Sequence, residues 1–310
     1  MADFKFFQNP LTKRWAVLAP RRARRPNIAK GPSVLCPFCT GKEKDETELY
    51  RVGGRDGDSN WQIRVVPNKF PFAPIHEIII HSPDHHKNFE ELPLDQVILI
   101  LKTYRQRYNA HKSSGQIYIF HNRGEAGGES LPHPHTQLVA VPNEVNMDIS
   151  HLDPSSIRLF GRTKAAILGF GPNYEKQDQV ETEHFYLFCP KTSEWPDEVW
   201  VAPKKRGNLF GQITDVEISD LAQTLSRLIQ ILDLRHGHEF SFNFYIYPGN
   251  DWYLRLIPRI KILGGFEIGT GIFVNTQDSK ETMAFIKEHL QTPDIEKIKK
   301  EHQADYEKRV

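Results

Sequence analysis

Cysteine is scarce in this chain, with three in 310 residues. Three thiols make no paired disulfide framework, so the fold must rest on a buried core. Long apolar runs are missing too. No window approaches the ~20 apolar residues of a membrane helix, and the start, Met1-Ala-Asp-Phe-Lys-Phe-Phe-Gln-Asn-Pro10, has no leader pattern. This reads as a cytoplasmic protein with no membrane partner. Charge of either sign is not in excess: 40 Lys and Arg stand against 39 Asp and Glu, a net +1. Nothing in that balance calls for a nucleic-acid partner. What remains is an ordinary globular composition, 39% hydrophobic and 25% charged, long enough for two domains or one large one.

The chain says one thing twice. Ile63-Arg-Val-Val-Pro-Asn-Lys-Phe-Pro-Phe and Glu77-Ile-Ile-Ile-His-Ser-Pro form a strand, a proline loop and a strand, as do Phe185-Tyr-Leu-Phe-Cys-Pro-Lys and Glu198-Val-Trp-Val-Ala-Pro. An amphipathic helix follows each, over about 93–111 (Val97, Ile98, Ile100, Leu101, Tyr104) and about 215–234 (Leu221, Leu225, Leu228, Ile229, Leu232). An aromatic strand comes next, Gln116-Ile-Tyr-Ile-Phe or Phe240-Ser-Phe-Asn-Phe-Tyr-Ile-Tyr. A strand ending in proline closes each half, Leu138–Pro142 or Tyr253–Pro258. Setting Pro142 on Pro258 lays His135 on Asp251 and Gln137 on Tyr253. The expectation is an α+β fold of two fused repeats, antiparallel sheets with helices on one face. Residues 1–175 would form the first repeat and 176–310 the second, which lacks the histidine pair and ends in a helical tail. The polar segment 42–58 reads as a surface excursion, and the tail from Ser279 as an amphipathic helix with a solvated end.

The pair stands in Ser130-Leu-Pro-His-Pro-His-Thr-Gln-Leu. In an extended chain His133, His135 and Gln137 project from one face, and Pro134 stiffens the approach. A lone strand histidine is ordinarily a core residue, but two on one face ask for chemistry: metal ligand, general base or nucleophile. The run Asn122-Arg-Gly-Glu-Ala-Gly-Gly-Glu-Ser130 precedes them, and its successive N–H groups could form an anion nest. Together they suggest a phosphate held beside a nucleophilic imidazole.

Cys36-Pro-Phe-Cys39 has a zinc reading and a redox reading. The redox reading expects the motif to open a helix, whereas Pro32-Ser-Val-Leu before it and Thr40-Gly-Lys-Glu after it look like a knuckle in a loop. Zinc needs two more ligands, from His81, His85, His86 or His133. A site of Cys36, Cys39, His85 and His133 would tie the N-terminal arm to the histidine strand and aim His135. Cys189 stands alone on a strand and reads as core.

These pieces resemble the galactose-1-phosphate uridylyltransferase family of the histidine-triad superfamily along nearly the whole chain. Asn9-Pro-Leu-Thr, Ala19-Pro-Arg-Arg-Ala-Arg-Arg-Pro26, Cys36–Cys39, Val65-Val-Pro-Asn-Lys-Phe-Pro71 and Ser82-Pro-Asp-His85 carry the likeness. So do Asn122–Gln137, Glu181-Thr-Glu-His184, Trp195-Pro-Asp-Glu198 and Gly264-Gly-Phe-Glu267, all in order. The resemblance implies a nucleotidylyltransferase working by ping-pong double displacement. His135 would be the nucleophile, with Gln137 and Ser130 donating to the phosphoryl oxygens. Cys36, Cys39, His85 and His133 match the family's ligands for one structural zinc. Arg22 and Arg25 match phosphate-binding arginines, often presented across a homodimer interface. Asn68, Phe70 and Asn122 fall where the family holds the nucleoside, and Lys261 and Glu267 where it holds the hexose phosphate. The implied partners are a nucleotide sugar and a hexose 1-phosphate, as in galactose metabolism.

Two departures qualify the likeness. Gly249-Asn-Asp-Trp-Tyr-Leu-Arg has no histidines where better-studied members bind a second metal, so none is expected. Phe273 stands where those members place a hexose-contacting glutamine, and Gly264-Gly-Phe-Glu-Ile-Gly-Thr-Gly271 looks more like the ADP-glucose phosphorylase branch, whose acceptor is inorganic phosphate. A nucleotide-sugar phosphorylase is therefore the alternative, and a non-catalytic zinc-stabilised nucleotide-binding module a third.

Overall fold

In the computed structural model, which describes residues 4–25, 36–149, 179–238 and 240–309, the chain opens with a hairpin, β1 (Lys5–Gln8) and β2 (Trp15–Leu18). Next come β3 (Tyr50–Val52), β4 (Ile63–Pro67), β5 (Ile75–Ile80), α1 (Leu94–His111), β6 (Gln116–Arg123) and β7 (His135–Val141). The same sequence of elements then recurs as β8 (Gln179–Glu181), β9 (Phe185–Phe188), β10 (Val199–Pro203), α2 (Asp215–His236), β11 (Phe242–Ile246) and β12 (Leu254–Pro258). Three helices follow: α3 (Gly265–Thr270), α4 (Ser279–His289) and α5 (Ile295–Arg309).

All but the opening hairpin join one ten-stranded sheet in the order β3-β4-β5-β7-β6-β11-β12-β10-β9-β8. Every neighbouring pair runs antiparallel, and β6 meets β11 at the centre with Asn122 opposite Asn243. Reading outward from that seam, each side repeats the other. This is the expected α+β architecture of two fused repeats. The boundary expected at 175/176 and the stretch Pro32–Leu35 lie outside the described residues.

Period-2 patterning sorts the sheet faces. Ile79, Leu138, Ala140, Val201, Leu254 and Leu256 face α1 and α2, where they meet Val97, Ile100, Leu101, Leu221, Leu225 and Leu228 in the main core. Thr214 caps α2: its hydroxyl accepts from the Glu217 N–H (3.3 Å), and the Glu217 carboxylate accepts from the Thr214 N–H (2.7 Å). On the opposite face lie smaller clusters, around Phe38, Val66 and Ile78 and around Val139 and Val141 in the first half, and around Trp200, Tyr245 and Tyr253 in the second.

Three elements depart from the sequence reading. The hairpin β1–β2 and the short edge strands β3 and β8 are too brief for a periodic signal. Segment 42–58 is not simply a surface excursion. Buried Glu43 accepts from the Trp61 indole N–H (2.9 Å), and Glu48 pairs with both Arg51 and the fully buried Arg64 before β3 begins. The C-terminal tail breaks near Pro293 into α4 and α5, and α5 docks through buried Ile298 and through His302, whose Nδ1–H donates to the Arg235 carbonyl (2.7 Å).

Candidate active site on the first half of the sheet

Strand β7 carries the site because alternate side chains leave its two faces. Thr136 points into the core, where its hydroxyl meets Tyr104 Oη (2.5 Å) and His81 Nε2 (2.8 Å). His135 and Gln137 point the other way and line a cavity of about 300 Å³. Its other walls include Arg25, Phe38, Val66, Asn68, Phe70, Ile78, Ser130 and Leu131. Most of that lining is apolar, with a few converging polar groups, as ligand cavities generally are.

The His135 ring is buried, and its Nδ1–H donates to the backbone carbonyl of His133 (2.8 Å). That bond fixes the tautomer and leaves the Nε2 lone pair for chemistry. Burial, with the Arg25 charge adding to it, pushes the imidazole down to about 4, so the ring is neutral near physiological pH. Phe38 from the cysteine knuckle packs edge-on at 5.3 Å. Arg25 donates to the Ser130 hydroxyl, while Arg22 donates to the Phe70 carbonyl (2.7 Å) and lies over the Phe72 ring at 4.8 Å. Burial draws both guanidinium groups down, for Arg22 with help from Arg25. These two clustered cations are suited to a polyphosphate.

His133 leaves this face. Its ring is fully buried, its Nε2–H donates to the Ser82 carbonyl (2.9 Å), and its Nδ1 faces Cys36 Sγ (3.8 Å) and Cys39 Sγ (3.7 Å). His85 Nδ1 lies 3.1 Å from Cys39 Sγ, and the four ligand atoms all fall within 4.8 Å of one another. A tetrahedral zinc with sulfur at about 2.3 Å and nitrogen at about 2.1 Å separates S and N by about 3.6 Å. The donor set, these spacings and the tautomer set by Ser82 all fit that ion. Among the described residues this is the one cluster of the kind, and His81 and His86 are not in it.

Other expected residues fall apart from the cavity. Asn122 accepts from the Asn243 amide (2.8 Å) at the central seam. Lys261 and Glu267 pair with each other at 3.2 Å beside α3, and neither lines the cavity. The glycine-rich run is not an open nest: the N–H groups of Gly127, Gly128 and Glu129 donate to carbonyls of Gly124 and Glu125 within the loop. The Gly124 N–H is held by the Glu129 carboxylate (2.8 Å). Glycine is needed there for close approach, since a Cβ at Gly124 (φ +71°) would lie 2.2 Å from Ser241 Oγ.

Sequence reasoning passed over His76. It lies on β5 opposite Val139, on the same face as Ile78 and Ile80, and its Nε2 is 2.9 Å from Gln137 Oε1 and 3.0 Å from Asn68 Nδ2. The available signal was its place two residues before Ile78 in an alternating strand.

A family model described as "Galactose-1-phosphate uridyl transferase, N-terminal domain" matches residues 75–143, which include β5, β7 and the histidine motif. An ADP-glucose phosphorylase of Arabidopsis thaliana is 28% identical, over 86% of this chain and 88% of its own. A galactose-1-phosphate uridylyltransferase of Thermotoga maritima is 24% identical over 90% of this chain and 96% of its own. Among solved structures, an Arabidopsis thaliana ADP-glucose phosphorylase with bound ADP-glucose superposes with a TM-score of 0.69 at 26% identity, covering 92% of this chain and 98% of that one. A uridylyltransferase structure shares the fold, with a TM-score of 0.71 at 21% identity over 92% of this chain and 98% of that one. The likeness read from the motifs thus holds along nearly the whole chain: it resembles the galactose-1-phosphate uridylyltransferase family and carries features of the ADP-glucose phosphorylase branch.

Proposed function

We propose that this chain is a nucleotidylyltransferase that moves a nucleoside monophosphate between hexose 1-phosphates, of the UDP-glucose plus galactose 1-phosphate type. The observation that carries this is the geometry of His135. Its Nδ1–H is spent on the His133 carbonyl, and its ring opens on a cavity with Arg25 at the wall. Nε2 attacks the α-phosphorus of a nucleotide sugar; a P–N bond forms, the P–O bond breaks, and the sugar 1-phosphate leaves with the electron pair. A phosphate oxygen of the second substrate then attacks the nucleotidyl-histidine and restores the free ring. Gln137 and Ser130 donate to the phosphoryl oxygens, and Arg22 and Arg25 balance the phosphate charge. Phe70 and Asn68 border the nucleoside, Asn122 supports that end, and Lys261 and Glu267 serve the hexose phosphate. Cys36, Cys39, His85 and His133 hold one zinc, whose work is to tie the knuckle to β7. The repeats divide at 175/176, and the protein works as a cytoplasmic homodimer.

The full-length likeness to ADP-glucose phosphorylase, together with Gly264–Gly271, favours a second reading in which ADP-glucose is the donor and inorganic phosphate the acceptor. Intact-mass analysis after brief incubation with UDP-glucose or ADP-glucose, without acceptor, separates the two. A uridylyl adduct discharged by galactose 1-phosphate supports the first, and an adenylyl adduct discharged by phosphate the second. No adduct from either overturns both and leaves a zinc-stabilised binding module.

A further inference from the structure

We infer that His76, acting with Asn68, locks the carboxamide of Gln137 so that its NH₂ group, and not its oxygen, is presented to the cavity beside His135. The inference rests on the reading above, in which Gln137 donates to a phosphoryl oxygen. A carboxamide can serve either way round, and only one orientation is useful there.

The lock is built outward from the backbone. The Phe70 N–H donates to Asn68 Oδ1 (2.8 Å), which settles the Asn68 amide and leaves its Nδ2 as the inward group. That Nδ2 lies 3.5 Å from Gln137 Oε1, and His76 Nε2 lies 2.9 Å from the same oxygen. The two nitrogens are 3.0 Å apart, a hydrogen-bond distance that Asn68 could use only if His76 Nε2 were bare, so the tautomer of His76 decides the arrangement. With Gln137 turned the other way, its NH₂ would face the NH₂ of Asn68, and the only acceptor within reach of both would be a bare His76 Nε2. When His76 Nε2 carries the proton, the Gln137 oxygen faces inward and the NH₂ outward.

This requires the single proton of neutral His76 to sit on Nε2. His76 Nδ1 is buried without a partner, so a proton there would be a stranded donor, whereas on Nε2 it is used. The ring is 5% exposed and held edge-on by Phe72 at 4.5 Å, so it has little freedom to turn away. Burial, against the pull of Gln137 and with the charges of Arg22 and Arg25, pushes His76 down to about 4, which keeps one proton on the ring. His76 lies outside the cavity lining and is a positioning residue; Asn68 has its amide committed to the same task.

The test combines a spectroscopic and a kinetic arm. In protein labelled with ¹⁵N-histidine, the His76 signals, assigned by their loss in His76→Phe, should show a protonated Nε2 and a bare Nδ1. A bare Nε2 overturns the lock. In single-turnover adduct formation, His76→Phe should lower the rate by about 10- to 100-fold, somewhat less than loss of a whole oxyanion donor, with KM within about twofold. His76→Gln, which keeps a donor, should recover most of that rate. In a Gln137→Leu background His76→Phe should cost nothing further, and an additive loss there overturns the proposal. If the native protein forms no adduct with either nucleotide sugar, the transferase reading fails. The tautomer then decides the lock alone: protonated Nε2 supports it and bare Nε2 refutes it.

Discussion

The two halves of the sheet share strand order, helix placement and a common core, yet differ on the face away from the helices. In the first half that face carries His76, His135 and Gln137 and is hollow. In the second half the corresponding strands carry Phe188, Trp200, Ala202 and Tyr245, which close on one another and on Tyr253 just before β12. Trp200 stacks on Tyr253 at 4.5 Å, and Tyr253 on Tyr247 at 5.2 Å. Arg255 lies over Trp200 at 5.4 Å and is held by buried Glu198 through two hydrogen bonds of 2.7 and 2.8 Å. Asp251, which the sequence alignment lays on His135, has φ +60°, accepts from the Gly207 N–H (2.6 Å) and pairs with Arg206 at 3.1 Å. The scaffold tolerates either a hollow with converging polar groups or a filled aromatic layer. Filling favours stability and hollowing favours chemistry.

Perturbing each half should separate those roles. The largest effect is expected for His135→Ala, which removes the atom that carries the nucleotidyl group and should abolish adduct formation while leaving the fold and metal content intact. Retained adduct on intact-mass analysis would remove the nucleophile from that half. Next is the metal. Elemental analysis should find one zinc per chain, and chelation or His133→Ala should release it and lower the melting temperature; an unchanged Tm would show that the knuckle holds itself. In the second half, Arg255→Ala takes the cation from buried Glu198, leaving it the Trp200 indole N–H and the Glu194 N–H, and should cost about 3 kcal/mol in urea unfolding, while adduct stoichiometry stays complete. A matching loss of adduct would mean the halves are not separable.

The smallest effect concerns pH. Asp197 is buried; burial opposes its charge, but the His236 ring 2.9 Å away and the Arg235 charge outweigh it and hold the carboxyl below its usual range. Its native value lies below its unfolded one, so its stabilisation is complete above the unfolded value of about 3.9 and fades as pH falls through the native value. Asp197→Asn should thus be less stable near pH 7, with a difference that shrinks toward pH 3. A gap in urea midpoints that holds constant across that range would refute the assignment.

Much of the site was legible before any coordinates. Cys36, Cys39, His85, His133, His135 and Gln137 belong to short ordered motifs, and the structure brings them into two adjoining clusters. The face of His76 was legible from the alternation of β5, but its role was not, because that lies in Gln137, 61 residues away. Nor was the divergence of His133 from His135. Strand β7 begins only at His135, so the i, i+2 rule that unites His135 with Gln137 does not reach back to His133.

The sequence by itself determined the duplicated strand–helix order, the apolar faces of α1 and α2 and the identity of the chemical side chains. Those are local or periodic features, set by residue type and spacing. Only the tertiary structure decided which groups share a space. It gave Ser82 to His133 and paired Lys261 with Glu267 away from the cavity. It also spent the glycine-loop amides on the loop itself and turned the Gln137 amide through Asn68 and His76. Each of those outcomes is a contest for a limited number of donors and acceptors, and such a contest is settled only when distant strands meet.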